Sequence, residues 1–227
     1  AWSFTHSKKD VCEQTPQNVF YIHEILKSNH AALFINMIRD PRDVMISQKK
    51  KWKRKFLGSK NIPLFETIRS WVNYHPITIA KLWNSSIDAS KISSAQVLNV
   101  KFEELLMSPE KIIGDVSKHC GITFEEGMLD VPIIGSSSGK DSISRGIDSS
   151  RSQSWKTGGL NSAELWFCER ICKSNMTVND YTLNSSTPNY ILIAFYFLLF
   201  PVKIFLALLF NLHRMNNIID TLKRRLK

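Results

Sequence analysis

An arginine and a serine have the spacing of an anion-binding pair. Directly after the apolar segment 33–38 the chain carries RDPRDVMIS at positions 39–47. Arg39 would leave the end of a buried strand, and Asp43 would cap the helix that follows. Ser47 would lie about one turn into that helix and face back toward the strand end. Such a guanidinium and hydroxyl beside a helix N-terminus form a phosphate site, whereas the alternative is a structural Arg–Asp pair that closes the turn.

The surrounding sequence alternates between apolar runs and helical periods. Segments 33–38 and 95–100 predict buried strands, and a Ser/Gly-rich loop is predicted at 134–154. Helices are predicted at 17–28, 43–55, 65–88 with a break near Pro76, 108–119 before Gly121, and 161–174 behind a capping box. This order predicts an α/β fold with a parallel sheet. Ligands bind beyond the carboxyl ends of such strands, which is where residues 39–43 would lie.

Charge and cysteine content narrow the function classes. The 227 residues carry 30 Lys and Arg against 20 Asp and Glu, so the net charge is +10 and an anionic partner is expected. Segments 49–55 and 203–227 hold twelve of these cations against the single acid Asp220, which argues against a basic surface spread over nucleic acid. The run at 49–55 is either a solvated helix face or a rim that steers an anion.

The cysteines and histidines predict neither a disulfide scaffold nor a metal site. The four cysteines are too few for a disulfide scaffold, and Cys168 and Cys172 are expected in the core. The six histidines show no metal-ligand spacing, so no metal is predicted.

Several stretches resemble the elements of one enzyme family in order. RDPRDVMIS resembles the 3′-phosphate-binding element of sulfotransferases that use 3′-phosphoadenosine 5′-phosphosulfate. EQTPQN at 13–18 resembles an element of the carbohydrate and protein sulfotransferase branches. VLNVKFEELL at 97–106 and HCGITF at 119–124 are similar to later elements, and Arg151, Trp155 and Lys156 are similar to the C-terminal cofactor loop. The resemblance runs from Trp2 to about Tyr181.

The resemblance implies a P-loop-like three-layer sandwich and a sulfuryl transfer. Arg39 and Ser47 would grip the 3′-phosphate of the cofactor, and Arg151, Trp155 and Lys156 would complete its site, with no metal. The acceptor would be a hydroxyl or amine, in this branch of a carbohydrate. Glu13 is the one candidate for the catalytic base at a matching position; the alternative is a structural carboxylate.

The departures from the family leave alternatives open. The loop that binds the 5′-phosphosulfate belongs before Trp2, so we expect the first βα unit to be missing from this chain. Gln14 stands where the family has a lysine. The alternatives are a non-catalytic nucleotide-binding α/β protein and, third, a basic nucleic-acid-binding module.

The composition changes abruptly near the C-terminus. We expect a sulfotransferase domain at 1–187 and a membrane-associating segment at 188–227, because residues 190–212 read YILIAFYFLLFPVKIFLALLFNL. The helix could lie in the membrane interface, span it with Lys203 paired, or be a core helix. The basic residues that follow suit an anionic membrane surface. Localisation at a membrane is therefore expected, on the cytoplasmic face in a bacterium or in the Golgi lumen in a eukaryote.

Overall fold

The fold is mostly helical and contains a short parallel sheet. The computed structural model describes residues 11–53, 56–57, 60–92, 94–131, 145–148, 152–184 and 187–212. The strands are β1 (Phe34–Ile38), β2 (Phe56–Leu57), β3 (Lys60–Asn61) and β4 (Val97–Lys101). The helices are α1 (Ile22–Ser28), α2 (Pro41–Lys50), α3 (Leu64–Asn73), α4 (Pro76–Ser90), α5 (Phe102–Met107), α6 (Pro109–Cys120), α7 (Ser162–Val178) and α8 (Tyr190–Asn211). Short 3₁₀ turns lie at Pro16–Tyr21, Lys51–Lys53, Glu126–Leu129 and Ser154–Thr157.

Strands β1 and β4 pair in parallel, with Ile38 opposite Lys101. Their carboxyl ends therefore meet at one edge, which is the edge where α/β proteins bind ligands. The predicted α/β class, parallel sheet and C-terminal apolar helix are confirmed. The prediction of buried strands holds only in part: Ile38 of β1 and Val100 of β4 are buried among the described residues. Ile35 and Met37 are exposed, because alternate residues of a strand point to opposite faces and only one face of β1 is covered in the described chain.

Helices α2, α4 and α7 enclose the main core. Met45, Trp83 and the two cysteines Cys168 and Cys172 are buried together there, and both cysteines are free thiols, as expected of core residues. The indole nitrogen of Trp83 donates to the carbonyl oxygen of Arg39 at 2.9 Å. The core thus fixes the backbone at the end of β1, where the candidate site begins.

Two predicted helix boundaries are present for the expected reasons. Asn161 and Glu164 exchange side-chain to backbone hydrogen bonds of 2.9 Å each, so α7 begins with the predicted capping box. Helix α6 ends at Gly121, whose φ of +67° is the left-handed conformation that glycine adopts without strain. The side chain of Ser108 makes no capping hydrogen bond at the start of α6, although Pro109 occupies the first turn as expected.

The C-terminal apolar run is one helix. Asn189 caps α8 by accepting from the backbone nitrogens of residues 191 and 192, and the helix continues through Pro201. By length and composition alone α8 could cross a membrane, and only four of its residues are buried among the described residues. It packs along α3 and contacts α7, and the three alternatives for this segment stay open. The division at residues 187 and 188 remains a prediction.

Candidate functional site

The turn between β1 and α2 is closed by Asp40. Its side chain accepts a hydrogen bond from the backbone nitrogen of Arg42 at 2.9 Å, and Pro41 takes the first helical position. The prediction that Asp43 caps this helix is wrong, because Asp40 already occupies the capping position in front of Pro41. This leaves the carboxylate of Asp43 available for contacts outside the helix.

Arg42 is the structural centre of this turn. Its guanidinium forms a two-point pair with Asp40 at 2.7 and 3.0 Å, and donates to Glu169 at 2.9 Å and to the carbonyl oxygen of Thr182 at 2.8 Å. It also lies 3.6 Å from the centre of the Trp155 ring. Burial alone would lower the pKa of Arg42, but hydrogen bonds and charges from Asp40 and Glu169 outweigh it and raise that pKa. A structural Arg–Asp pair is therefore present here, formed by Arg42.

Asp43 ties the C-terminal loop to α2. Its buried carboxylate accepts from the Ser154 hydroxyl at 2.8 Å and from the backbone nitrogen of Trp155 at 2.9 Å. Its other oxygen lies 3.7 Å from the Arg39 guanidinium. The loop that the resemblance assigned to the cofactor is thus brought beside the turn after β1.

Arg39 and Ser47 lie four residues before and four residues after Asp43. Ser47 shares a face of α2 with Asp43, because residues four apart lie on one face of a helix, and Arg39, just before the helix, lies beside the Asp43 carboxylate. The Arg39 guanidinium lies 4.6 Å from the Phe102 ring centre and keeps a quarter of its side chain exposed. The Ser47 hydroxyl is half-buried and has no hydrogen-bond partner among the described residues. The indole N–H of Trp155 is also buried without an acceptor in the described chain. These three donors match the chemistry of an anionic oxygen ligand.

The remaining predicted site residues lie elsewhere or outside the described chain. Lys156 is exposed and donates to Gln153 at 2.6 Å within its own loop. Arg151 lies outside the described residues. Glu13 is exposed and accepts from the Thr15 hydroxyl at 2.6 Å; it has no contact with Arg39 or Ser47 among the described residues. Their assignments stay predictions.

Glu103 is a site residue that the sequence reasoning missed. One carboxylate oxygen accepts from the backbone nitrogen of Asp40 at 2.9 Å, and the other accepts from the Tyr181 hydroxyl at 3.0 Å. Burial, and then the charge of Glu103, raise the pKa of Tyr181. The signal was present in the sequence, because Glu103 follows β4 just as Asp40 follows β1. In a parallel pair those two positions adjoin.

Lys49 fits neither interpretation of the basic run at 49–55, the solvated helix face or the rim that steers an anion. Its ammonium donates to the buried Glu164 at 2.6 Å and to the carbonyl oxygen of Gly159 at 3.0 Å. Glu164 also accepts from the Tyr74 hydroxyl at 2.7 Å, and burial followed by this carboxylate raises the pKa of Tyr74. Lys49 is therefore a structural cation and not part of a solvated face or a steering rim.

The family follows from a comparison with known proteins. The model of the sulfotransferase family matches residues 3–126, which is more than half of the chain and includes Arg39 and Ser47. The chain belongs to the sulfotransferase family. The solved sulfotransferase domain from the curacin biosynthetic pathway is similar at 18% identity with a TM-score of 0.48, over 76% of this chain. The match covers 62% of that domain, so this chain spans less than two thirds of its length. No curated protein is significantly similar in sequence.

Proposed function

We propose that this sulfotransferase takes its sulfuryl group from 3′-phosphoadenosine 5′-phosphosulfate and transfers it to a hydroxyl or amine of an acceptor. The observation that carries the proposal is the assembly around Asp43, which brings Arg39, Ser47 and Trp155 to the carboxyl end of β1. A 3′-phosphate is strongly anionic, and these side chains offer a guanidinium, a free hydroxyl and an unsatisfied indole N–H. At the N-terminus of α2 the backbone nitrogen of Arg42 already donates to Asp40, so the proposal relies on the side chains.

In this reaction the bond between the sulfur and the phosphate oxygen breaks as a bond to the acceptor oxygen or nitrogen forms. The acceptor loses a proton to a base, and the bisphosphate leaves with the bonding electrons. The protein mainly positions the reactants and neutralises charge, by analogy with phosphoryl transfer. Arg39 and Ser47 would hold the bisphosphate, with Arg151 and Lys156 as further cations. Glu13 remains the candidate base, and its exposure leaves it open to an acceptor.

A carbohydrate is the proposed acceptor. The EQTPQN element at 13–18, which resembles the carbohydrate and protein branches, supports this choice. Exposed cations at Lys50 and Lys53 would favour an anionic glycan, since a local positive field raises the concentration of anions near it. Lys49 contributes nothing to that field because Glu164 pairs with it.

Calorimetry with 3′-phosphoadenosine 5′-phosphate tests the cofactor assignment. Arg39→Met should weaken binding by about 30- to 150-fold, which corresponds to about 2–3 kcal/mol for a lost charge-assisted hydrogen bond. Arg170→Met on α7 removes an equal charge from an exposed position and should leave the affinity within about twofold. Equal affinities of both folded variants would refute the phosphate site at Arg39.

A non-catalytic nucleotide-binding protein is the second candidate function. The glutamine at position 14 favours it, because it removes a cation near the reacting sulfate. Transfer of radiolabelled sulfate to glycan acceptors separates the two functions. Binding of the bisphosphate without any transfer would support the second candidate, and transfer would exclude it.

Association with an anionic membrane surface is the proposed localisation. It is supported by α8, which is apolar and has few buried residues among those described, and by the basic residues that follow it in sequence. An acceptor carried on a membrane would fit this placement.

A further inference from the structure

Helices α3 and α8 together form an exposed apolar surface. On α8, positions 191, 195, 198, 202, 205 and 209 are all exposed and apolar, and they recur every three or four residues. The neighbouring α3 exposes Leu64, Ile68 and Trp71 at the same kind of spacing. The two helices pack against each other, with Phe65 stacked on Phe210 at 5.5 Å between ring centres. We call these exposed residues of both helices the α3–α8 surface.

The charged groups of these helices are paired within the protein. Lys203, at the middle of α8, is buried; it donates to the carbonyl oxygen of Trp71 at 3.0 Å and lies 3.4 Å from the centre of that ring. Arg69 pairs with Glu66 and donates to the Asn211 side chain at 3.0 Å. Apart from Tyr190 at its start, the exposed residues of α8 are therefore apolar.

We propose that the α3–α8 surface docks on an anionic lipid bilayer, with α8 lying in the membrane plane and not crossing it. The proposal builds on the membrane association proposed above. Both ends of α8 are attached to the folded domain. The backbone nitrogen of Asn189 donates to the Ser162 hydroxyl at 3.1 Å, and the side chain of Asn211 donates to Asn73 at 2.8 Å.

A crossing helix is incompatible with these contacts. At 1.5 Å per residue, 22 residues extend for about 33 Å, which is about the hydrocarbon thickness of a bilayer. If α8 crossed with its contacts intact, the adjoining α3 would carry its Glu66–Arg69 pair into the hydrocarbon, which is costly. Docking in the plane places only the apolar side in lipid and leaves the polar contacts on the protein side.

The charge of the following segment identifies the kind of bilayer. Residues 213–227 follow α8 directly, and their sequence contains Arg214, Lys223, Arg224, Arg225 and Lys227 against the single acid Asp220. An apolar helix face followed by clustered cations matches a bilayer with anionic headgroups. Trp71, half exposed beside Lys203, has the amphipathic ring that is common at membrane interfaces.

Vesicle flotation of the full chain tests the proposal. The vesicles would contain phosphatidylcholine with about 30% phosphatidylserine. Val202→Asp on α8 and Leu64→Asp on α3 should each weaken binding about tenfold, because each places a charge where a side chain meets lipid. Val178→Asp on α7 makes the same change as Val202→Asp at a position that is 67% exposed but outside the surface, and should change binding less than about twofold. Leu198→Gln is a milder α8 variant if Val202→Asp proves unstable in thermal melts.

The role of α3 distinguishes docking in the plane from crossing. If the α8 variants weaken binding and Leu64→Asp does not, α8 meets lipid without α3 and the proposal is overturned. It is also overturned if the full chain ignores the vesicles, or if sedimentation shows a dimer that the same variants dissociate. Binding of 3′-phosphoadenosine 5′-phosphate in vesicle-free solution is measured separately, so failure of the cofactor assignment is distinguishable from failure of this surface.

Discussion

The two arginines of the turn after β1 should have separable roles, although only two residues stand between them. Arg42 is buried, and its side chain donates two hydrogen bonds to Asp40 within the turn, one to Glu169 of α7 and one to the carbonyl oxygen of Thr182 before α8. Arg39 is partly exposed, and its ion pair with Asp43 is long at 3.7 Å. We therefore expect Arg42 to stabilise the fold and Arg39 to bind the ligand.

The same substitution at both positions makes this contrast measurable. Arg42→Met leaves the carboxylates of Asp40 and Glu169 without their cation in a mostly buried place, which should lower the free energy of unfolding by about 3–5 kcal/mol. Arg39→Met removes a partly solvated pair and should lower it by about 1 kcal/mol. Affinity for 3′-phosphoadenosine 5′-phosphate should fall in the Arg39 variant.

Urea denaturation followed by circular dichroism gives both free energies of unfolding under one set of conditions. Arg42→Lys serves as a milder variant, since it keeps the charge and loses the planar fork that pairs with Asp40. Equal losses of stability in Arg39→Met and Arg42→Met would show that the buried network around Arg42 does not carry the stability assigned to it.

Two further predictions concern buried polar groups beside α8 and α2. Burial lowers the pKa of His75 to about 4, below the ordinary value of 6.5. As the pH falls, His75 is therefore protonated in the unfolded chain before it is protonated in the folded one. The free energy of unfolding should therefore fall as the pH drops from 6.5 toward 4, because protonation of His75 favours the unfolded chain. Urea titrations at several pH values should show a smaller fall in His75→Gln than in His30→Gln, the control at an exposed histidine. Lys49→Met should lower the free energy of unfolding by about 2 kcal/mol because it strips the cation from buried Glu164, whereas the adjacent Lys50→Met should change it by less than about 0.5 kcal/mol in the same titration.

The sequence correctly predicted those helix boundaries that depend on residues close to each other along the chain. The capping box at Asn161 and Glu164, the stop at Gly121 and the break before Pro76 all depend on contacts within a few residues, and each is present. The apolar run at 190–212 predicted α8 to within one residue at its end. Local propensity and capping determine such features without knowledge of the rest of the chain.

The contacts of the candidate site could not be read in the same way, because they join distant positions. Asp43 looked like a helix cap, yet it holds a loop more than a hundred residues away through Ser154 and Trp155. Lys49 looked like one member of a basic run, yet it pairs with Glu164. The sequence shows which residues are charged. Their partners depend on how α2 packs against α7 and against the loop that carries Ser154 and Trp155.

Helix α2 connects the candidate anion site to the proposed membrane surface. Near its start, Asp43 holds the loop that carries Ser154 and Trp155, and near its end Lys49 donates to Glu164. Glu164 in turn accepts from the backbone nitrogen of Asn161, whose side chain donates to the Tyr196 hydroxyl of α8 at 3.1 Å. The hydrogen bonds from Lys49 through Glu164 and Asn161 to Tyr196 therefore fix the position of α8 relative to α2 and to the turn that carries Arg39. If the bilayer binds the exposed side of α8, the contacts between α2, α7 and α8 set the distance from the lipid to the proposed anion site at Arg39. An acceptor carried on the same membrane would then reach that site at a constant distance from the bilayer.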